Sequence, residues 1–333
     1  MSKSNLSAMV RTLRYEAAGI MSVELVPAAG SRAPFPGFTP GAHIDLHLPS
    51  GLVRSYSLVN APGEQGQQNQ QSQQSPQSRY VLGILADPKS RGGSRFIHDN
   101  FRVGMTLEIS EPRNHFVLDE SAEHTVLIAG GIGVTPILCM YRRLRALGRS
   151  VKLMYCSRTA PQAAFVDELN ALGGDITYHF DDQHDGKPAS LADFLSGQPA
   201  GTHAYCCGPG VMLDAFEAAC AQAGITNVHI ERFAAAPDAP APATSEGYVV
   251  TLAKSGREIA VPAGATLLDT LLAAGIDAEH SCMEGVCGAC ETRVLDGCPD
   301  HRDSVLSASE RAGNQVMMIC VSGCKGDRLT LDL

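Results

Sequence analysis

The chain has 333 residues, of which 44% are hydrophobic and 18% charged, a composition typical of a soluble globular protein with two or three domains. Its formal net charge of −9 argues against nucleic acid as a partner, because nucleic-acid-binding proteins present basic faces. An acidic protein fits a basic partner surface better. No run of eighteen apolar residues occurs, so we expect no membrane-spanning helix.

Eleven cysteines are present, and the opening segment lacks the apolar core of a signal peptide. This combination predicts a cytoplasmic protein in which most thiols stay reduced. Seven of the cysteines lie outside the pattern described below, and we expect most of them to be small buried apolar residues.

The first 119 residues are predicted to form a β-rich domain, most economically a closed antiparallel barrel. Residues 43–48 alternate apolar and polar side chains with a period of two, as a half-buried strand does. Strand patterns occur at 10–25, 43–48, 52–59, 80–85, 103–109 and 114–118, and a glycine-rich turn opens a short helix within 90–98. Residues 63–78 are rich in Gln, Ser, Asn and Gly, and we interpret them as a solvated loop without a function.

The pattern changes from residue 120 onward, where the apolar run at 125–129 is typical of a buried parallel strand. A glycine-rich turn and an amphipathic helix, from about Pro136 to Ala146, follow this run. Strand signals recur at 151–156, 176–180 and 203–207, with helical stretches at 160–171, 191–195 and 210–223. Alternating strands and helices predict an open, mostly parallel α/β sheet for residues 120–233.

Residues 234–246 are rich in Pro and Ala, which indicates an extended linker and a domain boundary. Beyond it, strand patterns at 248–253 and 257–261 form a predicted hairpin around Ser255-Gly256, and residues 267–274 form a predicted helix. Residues 247–333 therefore match one small β-grasp domain.

Four cysteines near the C-terminus carry the strongest chemical signal in the sequence. They are Cys282, Cys287, Cys290 and Cys320. Their C-x4-C-x2-C…C spacing is that of plant-type [2Fe–2S] ferredoxins, in which four thiolates must converge on one small volume. Gly285, Gly288 and Ala289 let the loop curl and turn backbone N–H groups toward sulfur.

A structural zinc site and disulfide bonds are the alternatives for these cysteines. Zinc sites usually take their ligands from two close pairs, whereas the fourth thiol here stands alone. Disulfides would require an oxidising compartment, for which the sequence shows no secretion signal. The spacing therefore favours an iron–sulfur cluster.

Two short motifs in the barrel are predicted to bind a flavin. They are Arg54-Ser55-Tyr56-Ser57 and Arg91-Gly92-Gly93-Ser94. Arg54 and Tyr56 share one face of a strand, so a cation and an aromatic ring are presented together. The second motif places glycine-opened N–H groups at a helix N-terminus, where Arg91 would reinforce a phosphate cradle. Taken alone, each motif also fits a solvated arginine or a plain polar turn.

Two glycine turns at strand ends are predicted to form a dinucleotide site. The first, at residues 130–136, joins a strand to a helix, so a pyrophosphate could lie against the helix N-terminus. Its spacing differs from the Rossmann G-x-G-x-x-G pattern, and no acidic residue ending a second strand stands out, which disfavours an ordinary dehydrogenase. The second turn is Cys207-Gly208-Pro209-Gly210. Cys207 either faces a nicotinamide ring or simply fills the end of a buried strand.

Taken in order, the 54–57 motif, the 130–136 turn, Cys207-Gly208-Pro209 and the ferredoxin signature resemble the phthalate dioxygenase reductase family. Vanillate O-demethylase reductases are near relatives within this resemblance, which covers essentially the whole chain. The family places its ferredoxin domain after a ferredoxin–NADP reductase-like module, whereas related reductases carry it in front. The Gln-rich insert departs from the family pattern.

The resemblance implies a reductase that passes electrons from NADH through FMN and a [2Fe–2S] cluster to a terminal Rieske-type oxygenase. That partner would dock near the ferredoxin domain. For FMN the resemblance implies Arg54, Ser55, Tyr56, Ser57, Arg91, Gly92, Gly93 and Ser94, and for NADH it implies Gly131, Thr135, Ser157, Arg158, Cys207 and Pro209. It also places Cys207 and Phe233 at the reaction centre, with Phe233 near the flavin ring.

Electron counting supports the same set of cofactors. Nicotinamide gives up two electrons together and an iron–sulfur cluster accepts one at a time, so a flavin must lie between them. FMN is favoured over FAD because the sequence shows a phosphate cradle and no adenine site. Two alternatives stay open: a reductase for a Rieske monooxygenase with a non-aromatic substrate, and a non-enzymatic iron–sulfur electron carrier.

Overall fold

The structure is a computed structural model that describes residues 5–31, 33–63, 78–234, 247–306 and 308–333. The chain divides into two compact units, Met1–Glu231 and Arg232–Leu333. The first unit contains both an antiparallel and a parallel sheet, so the predicted boundary between residues 119 and 120 falls inside it. Most of the Gln-rich insert and of the predicted linker lies outside the described residues.

Six strands of the first unit form an antiparallel barrel. They are β1 (Leu6–Ala17), β2 (Ile20–Pro27), β3 (His43–His47), β4 (Val53–Ser57), β5 (Tyr80–Leu85) and β6 (Thr106–Ile109), and α1 (Gly93–Asn100) lies between β5 and β6 in the chain. The strand order is β4-β3-β6-β1-β2-β5, and a bridge between Leu58 and Leu82 joins its two ends. The sheet therefore closes, as predicted, around inward side chains such as Val10, Leu25 and Ile44.

Two details of the barrel differ from the sequence prediction. The stretch 10–25 belongs to two strands, because the chain turns at Gly19 with φ +74°. The strand predicted at 114–118 is wrong. The side-chain amide of Asn114 donates to Thr39 Oγ1 at 2.6 Å, which fixes this segment as a loop.

The second sheet of the first unit is entirely parallel. Its strands are β7 (His124–Gly130), β8 (Ser150–Ser157), β9 (Asp175–Phe180), β10 (His203–Cys207) and β11 (Asn227–Glu231), and its helices are α2 (Val134–Ala146), α3 (Val166–Leu172), α4 (Leu191–Leu195) and α5 (Gly210–Ala223). The strand order is β11-β10-β7-β8-β9, with apolar cores on both faces. The chain order reverses between β7 and β10, and such a switch point opens a ligand crevice at the carboxyl ends of the strands.

The helix predicted at 160–171 begins later than expected. A short 3-10 turn, Ala160–Gln162, comes first, and Phe165 then adopts a left-handed backbone with φ +61° before α3 starts. Phe165 is buried. Its ring packs on β5, where a Cβ added to Gly83 would lie 3.0 Å from the ring. Packing of this ring against the barrel therefore overrides the helical pattern.

The second unit is a β-grasp fold, as predicted. Its elements are β12 (Tyr248–Leu252), β13 (Arg257–Val261), α6 (Leu267–Ala273), β14 (Glu291–Asp300), α7 (Ala308–Gly313), β15 (Val316–Met318) and β16 (Gly323–Leu331). The strand order is β13-β12-β16-β14-β15, in which only β12 and β16 pair in parallel. Leu267, Leu268 and Leu271 of α6 are buried in the core of this unit. Among all the described residues, no helix is long and apolar enough to cross a membrane.

Candidate functional site

The four cysteines of the ferredoxin pattern lie on or near one loop of the second unit. Three lie on the loop between α6 and β14, and the fourth follows β15. The loop bends through left-handed backbone at Met283, Gly285 and Gly288, with φ of +58°, +69° and +72°. Cys290 and Cys320 are buried, and Cys282 is partly exposed. The bent loop places the sulfurs of Cys282 and Cys287 in contact with each other and with its own backbone N–H groups.

Backbone N–H groups of this loop point at the sulfur atoms. The donors are the amides of Cys282, Glu284, Gly285, Val286 and Ala289, and the acceptors are the sulfurs of Cys282, Cys287 and Cys320. The N–H of Glu284, for example, lies 3.3 Å from Cys282 Sγ. Such donors favour the thiolate form and help set the reduction potential of an iron–sulfur cluster.

The thiols also contact one another in a chain. Cys282 contacts Cys287 and Cys320, and Cys320 contacts Cys290. The contact with Cys282, together with burial, raises the pKa of the Cys287 thiol well above its ordinary value. An iron–sulfur cluster held by these four residues would supply the positive charge that four thiolates at such short range need.

This donor set fits a binuclear cluster better than a single metal ion. Within the described ranges, no three or more His, Cys, Asp or Glu side chains surround one metal position. None of the four cysteines forms a disulfide. Four thiols in mutual contact under backbone N–H donors fit a [2Fe–2S] cluster.

The two predicted flavin motifs meet at the start of α1. Arg54 Nη2 donates to the carbonyl of Arg91 at 3.2 Å. The Arg54 side chain lies across Gly93, where an added Cβ would be 2.5 Å from Arg54 Cγ. The preceding residue, Gly92, adopts a left-handed backbone with φ +95°. The Ser94 hydroxyl is buried and has no hydrogen-bond partner within the described structure. An unpartnered hydroxyl at a helix N-terminus beside a guanidinium fits a phosphate.

The other residues of the 54–57 motif divide between two faces of β4. Tyr56 shares the Arg54 face and packs against the barrel core, and burial raises the pKa of its phenol, which stays protonated at neutral pH. Ser57 is buried. Ser55 donates instead to Asp45 Oδ1 at 2.6 Å. The structure thus directs the Ser55 hydroxyl to a buried carboxylate on the strand face opposite Arg54 and Tyr56, and its contact with a flavin stays a prediction.

The two predicted dinucleotide turns meet at the switch point of the parallel sheet. β7 and β10 are neighbours, and their register pairs Ala129 with Cys207. An added Cβ on Gly133 would lie 2.2 Å from the Cys207 carbonyl oxygen. An added Cβ on Gly130 would lie 2.6 Å from the Met212 sulfur. Glycine is required at position 133 because the two turns approach each other there at backbone distance.

The first turn also contacts the barrel. Gly131 has φ +55° and opens the 3-10 turn that leads into α2. Thr135 is buried, and its hydroxyl donates to the carbonyl of Ile132 at 3.0 Å. A Cβ on Gly83 of β5 would lie 2.6 Å from Thr135 Cγ2. The start of α2 therefore packs directly on a barrel strand.

The remaining predicted dinucleotide residues lie at other strand ends of the same edge. Pro209 caps α5 after β10, and Ser157 is the buried last residue of β8. Arg158 is exposed, and its carbonyl accepts the backbone N–H of Asp182 at 3.0 Å. Asp182 stands just after β9, so the backbones that follow β8 and β9 are joined at this edge.

Glu231 is a candidate that the sequence reasoning missed. It ends β11, and the register pairs it with Cys207, which is fully buried. Glu231 Oε2 is buried without a hydrogen-bond partner in the described part of the chain. Burial raises the pKa of this carboxyl to about 8, so it holds its proton at neutral pH. Burial likewise raises the pKa of the Cys207 thiol, and Glu231 contributes to this shift. An acid at the carboxyl end of a strand was the signal available in the sequence.

Phe233 was the residue chosen from that segment. It follows β11 by two positions and is 42% exposed. Its place near a flavin ring stays a prediction.

Comparison with known proteins gives a consistent result. Residues 250–325 match the model of a 2Fe-2S iron-sulfur cluster binding domain, and residues 109–230 match that of the dimethylamine monooxygenase subunit DmmA-like N-terminal domain. The chain is 48% identical to phenoxybenzoate dioxygenase subunit beta of Ectopseudomonas oleovorans, over 98% of this chain and 97% of that protein. It is 42% identical to the vanillate O-demethylase oxidoreductase of Pseudomonas sp. strain HR199, over 98% of this chain and 100% of that protein.

A solved structure of phthalate dioxygenase reductase, described as modular for electron transfer from pyridine nucleotides to [2Fe–2S], superimposes with a TM-score of 0.69 at 33% identity. The match covers 99% of this chain and 98% of that one. This chain belongs to the phthalate dioxygenase reductase family. The predicted family, the three-part fold class and the [2Fe–2S] type of the C-terminal domain are confirmed. As a family member, the chain is a flavin and iron–sulfur oxidoreductase that uses NADH and serves an oxygenase system.

Proposed function

We propose that this chain is the reductase of a Rieske-type aromatic oxygenase or demethylase and uses FMN as its flavin. The observation that carries the proposal is that one chain holds both a two-electron site and a one-electron site. The first unit combines facing strand-end turns with a phosphate cradle, and the second unit holds four thiols under N–H donors. The names of the relatives, which belong to dioxygenase and demethylase systems, support the same proposal.

At the nicotinamide site the residues of the chain bind and orient. The start of α2, with the open backbone of Gly131, would hold the pyrophosphate. The approach of Gly133 to Cys207 brings the two turns together, and Cys207 and Pro209 would line the ring. Thr135, packed against β5, couples this edge to the barrel. A flavin bound in the barrel would supply the conversion of paired electrons from NADH into the single electrons that an iron–sulfur cluster can accept.

The choice of NADH over NADPH is supported by charge at the sheet edge. Asp181 and Asp182 follow β9, and the backbone of Asp182 is bonded to that of Arg158. Two acidic residues at the end of β9 would oppose a 2′-phosphate bound at this edge and suit the hydroxyls of an unmodified ribose.

The choice of FMN over FAD is supported by the cradle at α1. Arg54, Gly92, Gly93 and the unpartnered Ser94 hydroxyl suit a terminal phosphate. We identify no adenine site around this cradle among the described residues. Tyr56, on the same strand face as Arg54, would pack against the isoalloxazine ring.

The partner oxygenase would dock on the cluster loop. Met283 is 43% exposed within this loop, and the exposed Asp277 and Glu279 precede it in the chain. From 258 to 292 the sequence contains no Lys or Arg. An exposed apolar side chain that follows two exposed acidic residues, in a stretch without Lys or Arg, suits a basic partner surface. Transfer to the oxygenase should therefore slow as ionic strength rises, while NADH-dependent flavin reduction is unaffected.

The test is anaerobic reduction of the purified protein by NADH, followed by visible spectroscopy. Both a flavin band and an iron–sulfur band should bleach. A non-enzymatic electron carrier would bleach neither, and this result would reject the proposal. Release of the flavin by acid, followed by its chromatographic identification, distinguishes FMN from FAD. Reduction by NADPH at an equal rate would reject the assigned donor preference. The thiol-rich, disulfide-free chain suits the reducing cytoplasm.

A further inference from the structure

Asp303 is a buried carboxyl group beside the cluster loop. Its side chain is fully shielded from solvent, and none of the predicted functions uses it. Oδ2 accepts the backbone N–H groups of Leu306 at 2.8 Å and Val305 at 3.1 Å. Oδ1 lies 3.5 Å from the Ser322 hydroxyl and 3.8 Å from His301 Nδ1. These contacts fix the backbone turn that starts at Asp303.

This turn holds a peptide of the cluster loop. The N–H of Ser304, inside the turn, donates to the carbonyl of Gly285 at 2.8 Å. A Cβ on Gly285 would lie 3.1 Å from Asp303 Cα, so the two backbones are in direct contact. The carbonyl of Gly285 belongs to the same rigid peptide plane as the N–H of Val286 and points in the opposite direction. That N–H donates to the Cys282 sulfur.

Asp303 also contacts the segment that follows the fourth cysteine, Cys320. Ser322 stands two residues after Cys320, and its hydroxyl contacts Asp303 Oδ1 while accepting the N–H of Arg302 at 3.2 Å. One buried carboxylate therefore contacts both the segment that supports the three-cysteine loop and the segment that follows the fourth cysteine.

We propose that Asp303 is a positioning residue that, through Ser304 and the Gly285–Val286 peptide, fixes the hydrogen bond to the Cys282 sulfur and thereby sets the reduction potential of the cluster. The inference rests on the proposed function only in that the four thiols hold a [2Fe–2S] cluster. Hydrogen bonds to cluster sulfurs stabilise the reduced, more negative state. Loss of the turn should therefore make the cluster harder to reduce.

The test compares Asp303→Ala with Asp303→Asn in the full-length holoprotein. Alanine removes both acceptor oxygens, whereas asparagine keeps one acceptor in the same place and removes the charge. Redox titration followed by electron paramagnetic resonance measures the cluster potential. Asp303→Ala should make cluster reduction about tenfold less favourable, which is about 59 mV for a one-electron couple. Asp303→Asn should lie at or above the wild-type potential, since loss of a negative charge favours reduction.

The matched control is Asp296→Ala, which removes an exposed carboxylate from β14 of the same unit and should leave the potential unchanged. Equal cluster potentials for Asp303→Ala and the wild type would overturn the inference. A higher potential in both Asp303 variants would also overturn it, because it would mean that only the charge of Asp303 matters. Cluster assembly in Asp303→Asn but not in Asp303→Ala supports it, and failure in both overturns it. A wild-type protein without a cluster would instead refute the proposed function.

Discussion

The cluster loop and the pair of dinucleotide turns position their chemistry in different ways. Three of the four thiols, and the N–H groups that donate to them, come from residues 282–290, so this site is largely local in sequence. The dinucleotide turns lie far apart in the chain and meet only because β7 pairs with β10. The loop therefore depends on which side chains it carries. The turns depend on the absence of side chains, since the backbone at Gly133 almost touches that of Cys207.

The largest expected effect comes from removing a ligand in the local site. Cys290→Ala should abolish transfer to the oxygenase, while NADH-dependent reduction of a dye by the flavin survives. The control is Cys298→Ala, which removes an exposed thiol outside the set and should change neither rate. Loss of both activities in Cys290→Ala would mean that the two units do not divide the reaction as proposed.

A methyl group at the crowded turn should give the next largest effect. Gly133→Ala places a Cβ 2.2 Å from the Cys207 carbonyl oxygen, so one turn must move by about an ångström. The rate of flavin reduction by NADH should fall roughly a hundredfold, as a misplacement of that size predicts. Stopped-flow absorbance measures this rate, and iron content should stay at the wild-type level. Gly326→Ala, where the added Cβ meets open space, is the control. A wild-type rate in Gly133→Ala would show that this approach is not needed.

The phosphate cradle shares features with both the cluster loop and the dinucleotide turns, because it combines close glycines with a specific hydroxyl. Ser94→Ala removes the unpartnered buried hydroxyl and should weaken FMN binding about tenfold, for the loss of about 1.5 kcal/mol from a hydrogen bond to a charged group. Fluorescence titration of the flavin-free protein measures this affinity. Ser196→Ala, at an exposed serine after α4, should bind FMN as the wild type does. Equal affinity in both variants would place the phosphate elsewhere.

The smallest expected effect concerns the edge strand β11. Glu231 is protonated in the folded protein up to about pH 8, whereas in the unfolded chain it ionises near its ordinary pKa of 4.5. The unfolded state therefore binds fewer protons between these values, and this residue lowers the free energy of unfolding as pH rises from 4.5 to 8. Glu231→Gln should flatten that part of the pH–stability profile, as measured by thermal unfolding of the flavin-free protein. An unchanged slope would mean that the carboxyl ionises in the folded state.

The local site was the more accessible one to sequence reasoning. The spacing of four cysteines identified the cluster loop, and the alternation of strands and helices identified the parallel sheet. The barrel, the hairpin around Ser255-Gly256 and the helix α5 also followed from local patterns. Such features are readable because each one depends on residues close together in the chain.

The errors arise where tertiary contacts override local pattern. The start of α3 was misplaced because Phe165 turns to pack against the barrel, and the strand at 114–118 was wrong because Asn114 is held by Thr39. Glu231 was passed over in favour of Phe233, since its burial and its pairing with Cys207 depend on the order of strands in the sheet. Asp303 gave no recognisable signal, because Ser322 and the Gly285 peptide, which it helps to hold, lie far from it in the chain.

The two ends of the connection between β4 and β5 are held together by hydrogen bonds where the barrel closes. Val59 donates its backbone N–H to the carbonyl of Val81, and Val81 donates in turn to the side chain of Asn60. The chain therefore re-enters the barrel beside the point at which it left, whatever number of residues lies between. Insertions and deletions in this connection should leave the strand register unchanged. This is the position where the sequence carries its Gln-rich insert, and it offers a site for attaching a tag or a tethered partner.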